Sequence, residues 1–237
     1  MAGQATSAAH RLGGWLEPIK PADGLAICFY LPSRGITAIM TATILLIRHA
    51  AHEHVGRILT GRMEGVGLSN KGQQEAFRLG DALRHEALAA VHSSPSLRAR
   101  QTAEAVASAH ALAIERAEEM AEVDFGLWTG CSFDDLDADP AWQAWNNSRG
   151  NARVPGGENM TEVQNRAWHW LEAVARRFDD ALIAVVSHCD VIRAVIARVL
   201  GLPVDNLLRF DVDTASISRI VVGDWGARVV SLNERAA

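Results

Sequence analysis

Three short apolar runs in this sequence are each followed at once by groups that can grip or attack an anion. Thr43–Ile47 leads into Arg48, His49 and Ala50. Leu88–Val91 leads into His92, Ser93, Ser94 and Pro95, with Arg98 shortly after. Leu182–Val186 leads into Ser187, His188 and Cys189. Arginine is a planar, permanently charged fork that holds phosphate oxygens two at a time. Neutral imidazole can attack phosphorus and later depart from it. A neighbouring cation stabilises charge on the equatorial oxygens of a phosphoryl group in transfer. Taken singly, each residue has a plainer reading: a histidine after a strand is usually packed or at the surface, and an arginine at a helix start is usually solvated. Those readings lose force if the three runs leave the same edge of one sheet.

The flanking elements are those such a sheet requires. Continuous apolar runs are expected of strands buried on both faces of a parallel sheet. Ser69 can cap a helix over Asn70–His85, in which Ala76, Leu79 and Leu83 recur at helical spacing. Helical patterns also cover Leu97–His110, Asn159–Phe178 and Val191–Leu200, the last ending at Gly201 and Pro203. Leu112–Glu115 reads as a third strand, 121–158 as irregular chain with helical turns, and 207–232 as two or three further strands. Alternating strands and helices predict a three-layer α/β/α sandwich with a mostly parallel central sheet. Ligands in such sheets sit beyond the carboxyl ends of the strands. A helix starting near Val191 would aim unpaired N–H groups at the same place.

Composition narrows the class. Of 237 residues, 49% are hydrophobic and 22% charged, enough for a real core. The formal net charge of −5 argues against nucleic acid or a membrane surface as the main partner, so an anion site must be a local cluster of cations. Cys28, Cys131 and Cys189 are too dispersed for a disulfide framework, which fits a reducing, cytoplasmic setting. Leu25–Leu31, bracketed by Pro21 and Pro32, lacks the pattern of a cleaved signal. Residues 1–40, rich in Ala, Gly and Pro, are expected to form an N-terminal tail, and 41–237 the functional domain.

With these residues in view, the chain resembles the histidine phosphatase superfamily, also called phosphoglycerate mutase-like. Leu46-Ile47-Arg48-His49-Ala50 is similar to L-x-R-H-G. Ser93-Ser94-Pro95-Ser96-Leu97-Arg98-Ala99-Arg100-Gln101-Thr102-Ala103 resembles S-S-P-L-x-R-A-x-Q-T-A. Glu122 to Gly130 resembles E-x-x-F-G-x-W-x-G, and Val186 to Arg193 resembles V-S-H-G-G-V-I-R. The resemblance implies the phosphoglycerate mutase-like fold and a phosphatase acting on a small phosphomonoester without metal or other cofactor. It implies His49 as nucleophile, Arg48, Arg98 and His188 as the phosphoryl clamp, and Glu122 as general acid and then base. Asp124 is the competing acid. Thr60 and Gly61 resemble the pair whose backbone approaches the phosphate, and Arg62 follows within reach of substrate. Glu158, in Pro155-Gly156-Gly157-Glu158, fits a recurrent P-G-G-E, but equally suits a first-turn helix charge.

Several positions depart from the pattern. Ala50 stands for glycine, which is tolerable at negative φ. Cys189-Asp190 stands for G-G, with Cys189 read as a small buried filler. Ala51-His52-Glu53-His54-Val55 lacks the E-[ST]-x-W-N of the mutases, which favours the phosphatase and leaves the role of His52 open. Three alternatives stand beside the phosphatase: phosphoglycerate mutase-type transfer; a metallohydrolase using His49, His52 and His54 with His188 or Asp190; and a non-catalytic module that binds phosphorylated ligands. The metallohydrolase matches no standard ligand spacing. Trp128, Trp142 and Trp145 are read as core rather than pocket lining. The expected partner is a small phosphorylated metabolite, and the expected assembly a monomer or homodimer.

Overall fold

The order of the strands brings the three chemically loaded exits side by side. In a computed structural model, which describes residues 40–236, six strands form one sheet in the order β3-β2-β4-β1-β5-β6. These are β1 (Thr41–Arg48), β2 (Leu88–Ser93), β3 (Ile114–Arg116), β4 (Ala181–Ser187), β5 (Ser216–Gly223) and β6 (Gly226–Arg235). β4 lies between β1 and β2 and is parallel to both, and β3 is parallel to β2. β5 and β6 close the other side as antiparallel neighbours. The sheet is therefore mostly parallel in its functional half, as expected. The expected 1–40 tail and Cys28 lie outside the described residues, apart from Met40.

Burial follows from the apolar runs. Ile44 to Ile47 of β1 and Ile183 to Val186 of β4 have no exposed surface, because helices cover both faces. α1 (Asn70–Leu83) and α2 (Leu97–Ser108) pack on one face through Ala76, Leu79, Ala103 and Val106. α5 (Met160–Arg177) and α6 (Cys189–Val199) cover the other through Val163, Leu171, Val191 and Val195. This is the predicted three-layer sandwich. Segment 121–158 contains two short helices, α3 (Phe133–Asp137) and α4 (Pro140–Asn147). α4 carries Trp142 and Trp145 into the core, where Trp128, from the turn before α3, lies edge-on to Trp142 and Trp142 is stacked on Trp145. α6 begins at Cys189, two residues before the expected start.

Local signals set the helix ends. Ser69 accepts from the Gly72 N–H at 3.1 Å and caps α1. Asn159 and Glu162 form a reciprocal capping box on α5. α6 differs: His188 holds its N-cap position but makes no cap bond with its side chain, because the ring is engaged elsewhere.

α1 also grips the chain leaving β1. The Ala51 N–H donates to Glu75 at 2.9 Å, and the Ser69 N–H donates to the Ala51 carbonyl at 3.0 Å. Gly72 allows this approach, since a Cβ there would lie 1.8 Å from that carbonyl oxygen. Gly72→Ala is expected to cost at least about 2 kcal/mol in a urea titration, because only backbone displacement can relieve the overlap. An unchanged midpoint would show that the α1–Ala51 contact is slack.

Candidate active site

The sequence between β1 and α1 fixes the first histidine in one orientation. Just after His49, the Ala50 N–H donates to Thr102 Oγ1 at 3.0 Å, and Thr102 in turn donates to the Arg98 carbonyl. Ala50 is not among the residues with positive φ, so an alanine is free of strain here. His49 Nδ1 lies 2.8 Å from the Ala50 carbonyl. A carbonyl can only accept, so Nδ1 carries the ring proton and Nε2 keeps its lone pair. Burial holds the His49 pKa well below the usual histidine range, and the nearby Arg98 and Arg48 charges lower it further. The ring is thus neutral, with Nε2 available as a nucleophile.

Arg98, 1% exposed, is the hub. Its Nε donates to His49 Nε2 at 3.3 Å and its Nη2 to the Gly61 carbonyl at 2.8 Å, with Nη2 also 3.3 Å from His188 Nδ1. Arg48 reaches the Val212 carbonyl through Nη1 at 2.7 Å. Arg48 Nε and Arg98 Nη1 are buried without an acceptor among the described residues. Two buried guanidinium N–H groups left open beside a neutral imidazole are what an incoming oxyanion would satisfy.

His188 faces the same point from β4. Its Nε2 is 2.7 Å from Ser94 Oγ at the end of β2, and its ring lies edge-on to His49 with centroids 5.1 Å apart. Burial lowers its pKa well below the usual value, followed by the charge of Arg98. Glu122 Oε2 stands 3.5 Å from His188 Nδ1. Burial raises the Glu122 carboxyl to about 7; Arg98 opposes this and Asp190 adds to it. Asp124 is placed differently. Its carboxylate accepts from the Gly126 N–H at 3.0 Å and faces Arg62 at 3.6 Å, and it lines neither cavity described below.

Two cavities meet at Gly61 and Glu122. The smaller, about 210 Å³, is lined by Arg48, His49, His52, Thr60, Glu122, Arg149 and Asp190 with an apolar wall that includes Phe125 and Trp142. The larger, about 820 Å³, contains Arg62, Ser94, Ser96, Arg100, Glu158 and Arg166 but not His49. Gly61, at φ +46, could not take a Cβ without crowding Phe125 at 3.1 Å. Arg62 donates to the Glu122 carbonyl and to Glu158, each at 2.9 Å, so it belongs to the wall of the larger cavity.

Of the residues the sequence singled out, His49, Arg48, Arg98, His188, Glu122, Thr60 and Gly61 converge. His92 does not join them: it lies within β2, edge-on to Trp170 and 3.8 Å from Glu115. β2 runs to Ser93, two residues past the expected end at Val91, so His92 is inside the strand, where side chains alternate faces, rather than at its exit. Cys189 has its thiol pushed up to about 11 by burial and points to the Val212 carbonyl, as a filler should. Sequence reading missed Arg149, named Ser94 without giving it a partner, and gave Glu158 no decisive role. Glu158 accepts from Arg62, Arg166 and the Asp124 N–H, tying the Glu122 loop to α5. The P-G-G-E match was the available signal for it. Among the described residues, no three His, Cys, Asp or Glu side chains are grouped to hold a metal ion, and no helix is long and apolar enough to cross a membrane.

The family profile of the histidine phosphatase superfamily (branch 1) matches residues 44–235. The chain belongs to that superfamily. It is 30% identical over 195 residues to phosphoserine phosphatase 1 of Hydrogenobacter thermophilus, covering 80% of this chain and 91% of that protein. It is 28% identical over 180 residues to a probable phosphoglycerate mutase, GpmB, of Erwinia tasmaniensis, covering 75% and 83%. Among solved structures, the alpha-ribazole phosphatase from Shigella flexneri superposes with a TM-score of 0.74 at 27% identity, covering 82% of this chain and 97% of that one. The α/β fold is shared with these relatives, whose names are those of phosphatases and mutases, and the chain is that of an enzyme of this superfamily.

Proposed function

We propose that this protein is a phosphatase that hydrolyses a small phosphomonoester through a phosphohistidine on His49, without a metal ion. The observation that carries the reading is the His49 ring: Nδ1 is tied to the Ala50 carbonyl, and Nε2 is held beside Arg98. In the first step the Nε2 lone pair attacks phosphorus, the bond from phosphorus to the ester oxygen breaks, and Glu122 donates its proton to the departing alcohol. Arg48, Arg98 and His188 hold the three equatorial oxygens. In the second step Glu122, now a carboxylate, takes a proton from water. The water oxygen bonds to phosphorus, the N–P bond breaks, and inorganic phosphate leaves.

Hydrolysis is preferred to mutase-type return of the phosphoryl group because Glu122 borders the larger cavity as well as the smaller, giving water a route to the base. The relatives' names, phosphoserine phosphatase and alpha-ribazole phosphatase, support small phosphorylated metabolites as the substrate class.

The test is p-nitrophenyl phosphate hydrolysis by the full chain in excess EDTA, followed across pH. Metal-independent turnover is expected, with kcat/KM falling above a pH of about 7 as Glu122 loses its proton. Neutral His49 imposes no acid limb until well below the usual histidine range. Glu122→Gln is expected to remove the alkaline limb and to cost roughly 10²-fold or more on an alkyl phosphate, and less on the nitrophenyl ester, whose phenolate leaves without a proton. Loss of all turnover in EDTA would refute the reading.

A further inference from the structure

Two polar side chains in the wall of the smaller cavity take no part in the chemistry above. His52 is 7% exposed, lines the same cavity as His49, and lies against its ring with centroids 5.4 Å apart. His52 Nδ1 accepts from the His54 N–H at 3.3 Å. An accepting Nδ1 places the proton of the neutral ring on Nε2. Nε2 has no hydrogen-bond partner among the described residues and is not among the fully occluded atoms. Burial, followed by Arg98, lowers the His52 pKa to about 4, so near neutrality the ring is an uncharged donor.

Arg149, also 7% exposed, lines the cavity too. Its guanidinium stacks 4.2 Å above the Trp145 ring, donates to Asp190 at 3.2 Å through Nη1 and bonds Asn146 through Nη2. Asp190 is shared with Arg193 at 3.6 Å, and Arg149 Nε is buried without an acceptor. Stacking and the Asp190 bond fix the plane of the guanidinium before any ligand arrives.

We propose that His52 and Arg149 form a second subsite in the His49 cavity, which holds a carboxylate on the alcohol portion of the substrate. This rests on the phosphatase reading for its place beside the transferred phosphoryl group. Both side chains offer N–H groups without acceptors, so the complementary group is one that only accepts. A carboxylate meets a guanidinium and an imidazole N–H at once. The smaller cavity has room for the ester of a few-carbon acid, and Phe125 and Trp142 cover the carbon skeleton. The larger cavity is the weaker host for such a group. Its Arg62 and Arg166 are paired with Glu158 and its Arg116 with Glu118, its Arg100 is solvent-exposed, and none of the four holds a buried N–H without an acceptor as Arg149 does.

The experiment compares 3-phosphoglycerate with glycerol 3-phosphate, which differ by a carboxylate in place of a hydroxymethyl group. The wild-type chain is expected to favour the acid in kcat/KM by about tenfold or more. In His52→Phe, which keeps a ring against His49 but offers no donor, that ratio is expected to collapse toward one. His52→Gln, which restores an N–H, is expected to recover part of it. A wild-type ratio near one, or a ratio unchanged in His52→Phe, would overturn the subsite. Calorimetric titration of the His49→Ala chain with both esters reads the same preference without turnover. A binding preference for the acid in a protein whose wild type hydrolyses neither these esters nor p-nitrophenyl phosphate would refute the phosphatase reading and sustain the subsite. Equal binding of the two esters would refute the subsite whatever the turnover.

Discussion

His49→Ala is expected to lower p-nitrophenyl phosphate turnover by at least about 10⁴-fold, since removing a covalent nucleophile eliminates both steps of the reaction rather than one contact within it. The surrounding fold should survive. The backbone of residue 49 is held by its own N–H donating to the Ser187 carbonyl at 2.9 Å, and Ala50 is pinned separately by Thr102. The variant should therefore still bind phosphate, through the open N–H groups of Arg48 and Arg98. It should also be somewhat more stable below the usual histidine range. A buried ring whose pKa lies below its unfolded value resists protonation in the folded state, and that lowers wild-type stability as pH falls through the unfolded value. Activity within tenfold of wild type would remove His49 from the mechanism.

Arg98→Met is expected to cost about 10³-fold or more in kcat/KM, comparable with other arginines that stabilise a phosphoryl group in transfer. The loss has three sources in the geometry. The guanidinium orients His49 Nε2, supports the Gly61 carbonyl, and keeps a free Nη1 for a phosphate oxygen. A second signature separates this from general disruption. Arg98 is the largest influence opposing the rise in the Glu122 pKa, and the largest charge lowering that of His49. Without it, the Glu122 carboxyl should titrate above its present value of about 7, and the residual activity should keep its acid form to higher pH. A profile unchanged in position, with only its height reduced, would contradict the electrostatic role assigned to Arg98.

Much of this site was legible before any fold was known, because its main groups follow apolar runs. β1 and β4 are continuous stretches of Ile, Leu and Val, so Arg48-His49 and His188 could be placed at strand ends from hydrophobicity alone. The Ser69 cap fixed the start of α1, and the helical patterns placed the starts of α2 and α5 to within a residue. The order of the strands was not readable. That β4 inserts between β1 and β2 depends on crossover packing, and it is this insertion that sets His188 against both His49 and Ser94. The acid loop was legible only as a motif. Glu122 differs from Asp124 because it is buried against Arg98 and His188, while Asp124 caps Gly126 and faces Arg62, a distinction two residues of spacing cannot express. Arg149 was invisible for another reason. It sits in the aperiodic stretch before α5, and its meaning comes from Asp190, 41 residues away, and from the Trp145 ring beneath it.

Quenching the enzyme during turnover and locating the phosphoryl group on its peptides tests the phosphohistidine directly. A phosphoryl group is expected on the peptide carrying His49, lost in acid and stable in alkali, as a phosphorus–nitrogen bond requires. It should accumulate further in Glu122→Gln, which lacks the base that activates water. A phosphoryl group on any other residue, or steady turnover with none on the protein, would rule out His49 as the phosphoryl carrier.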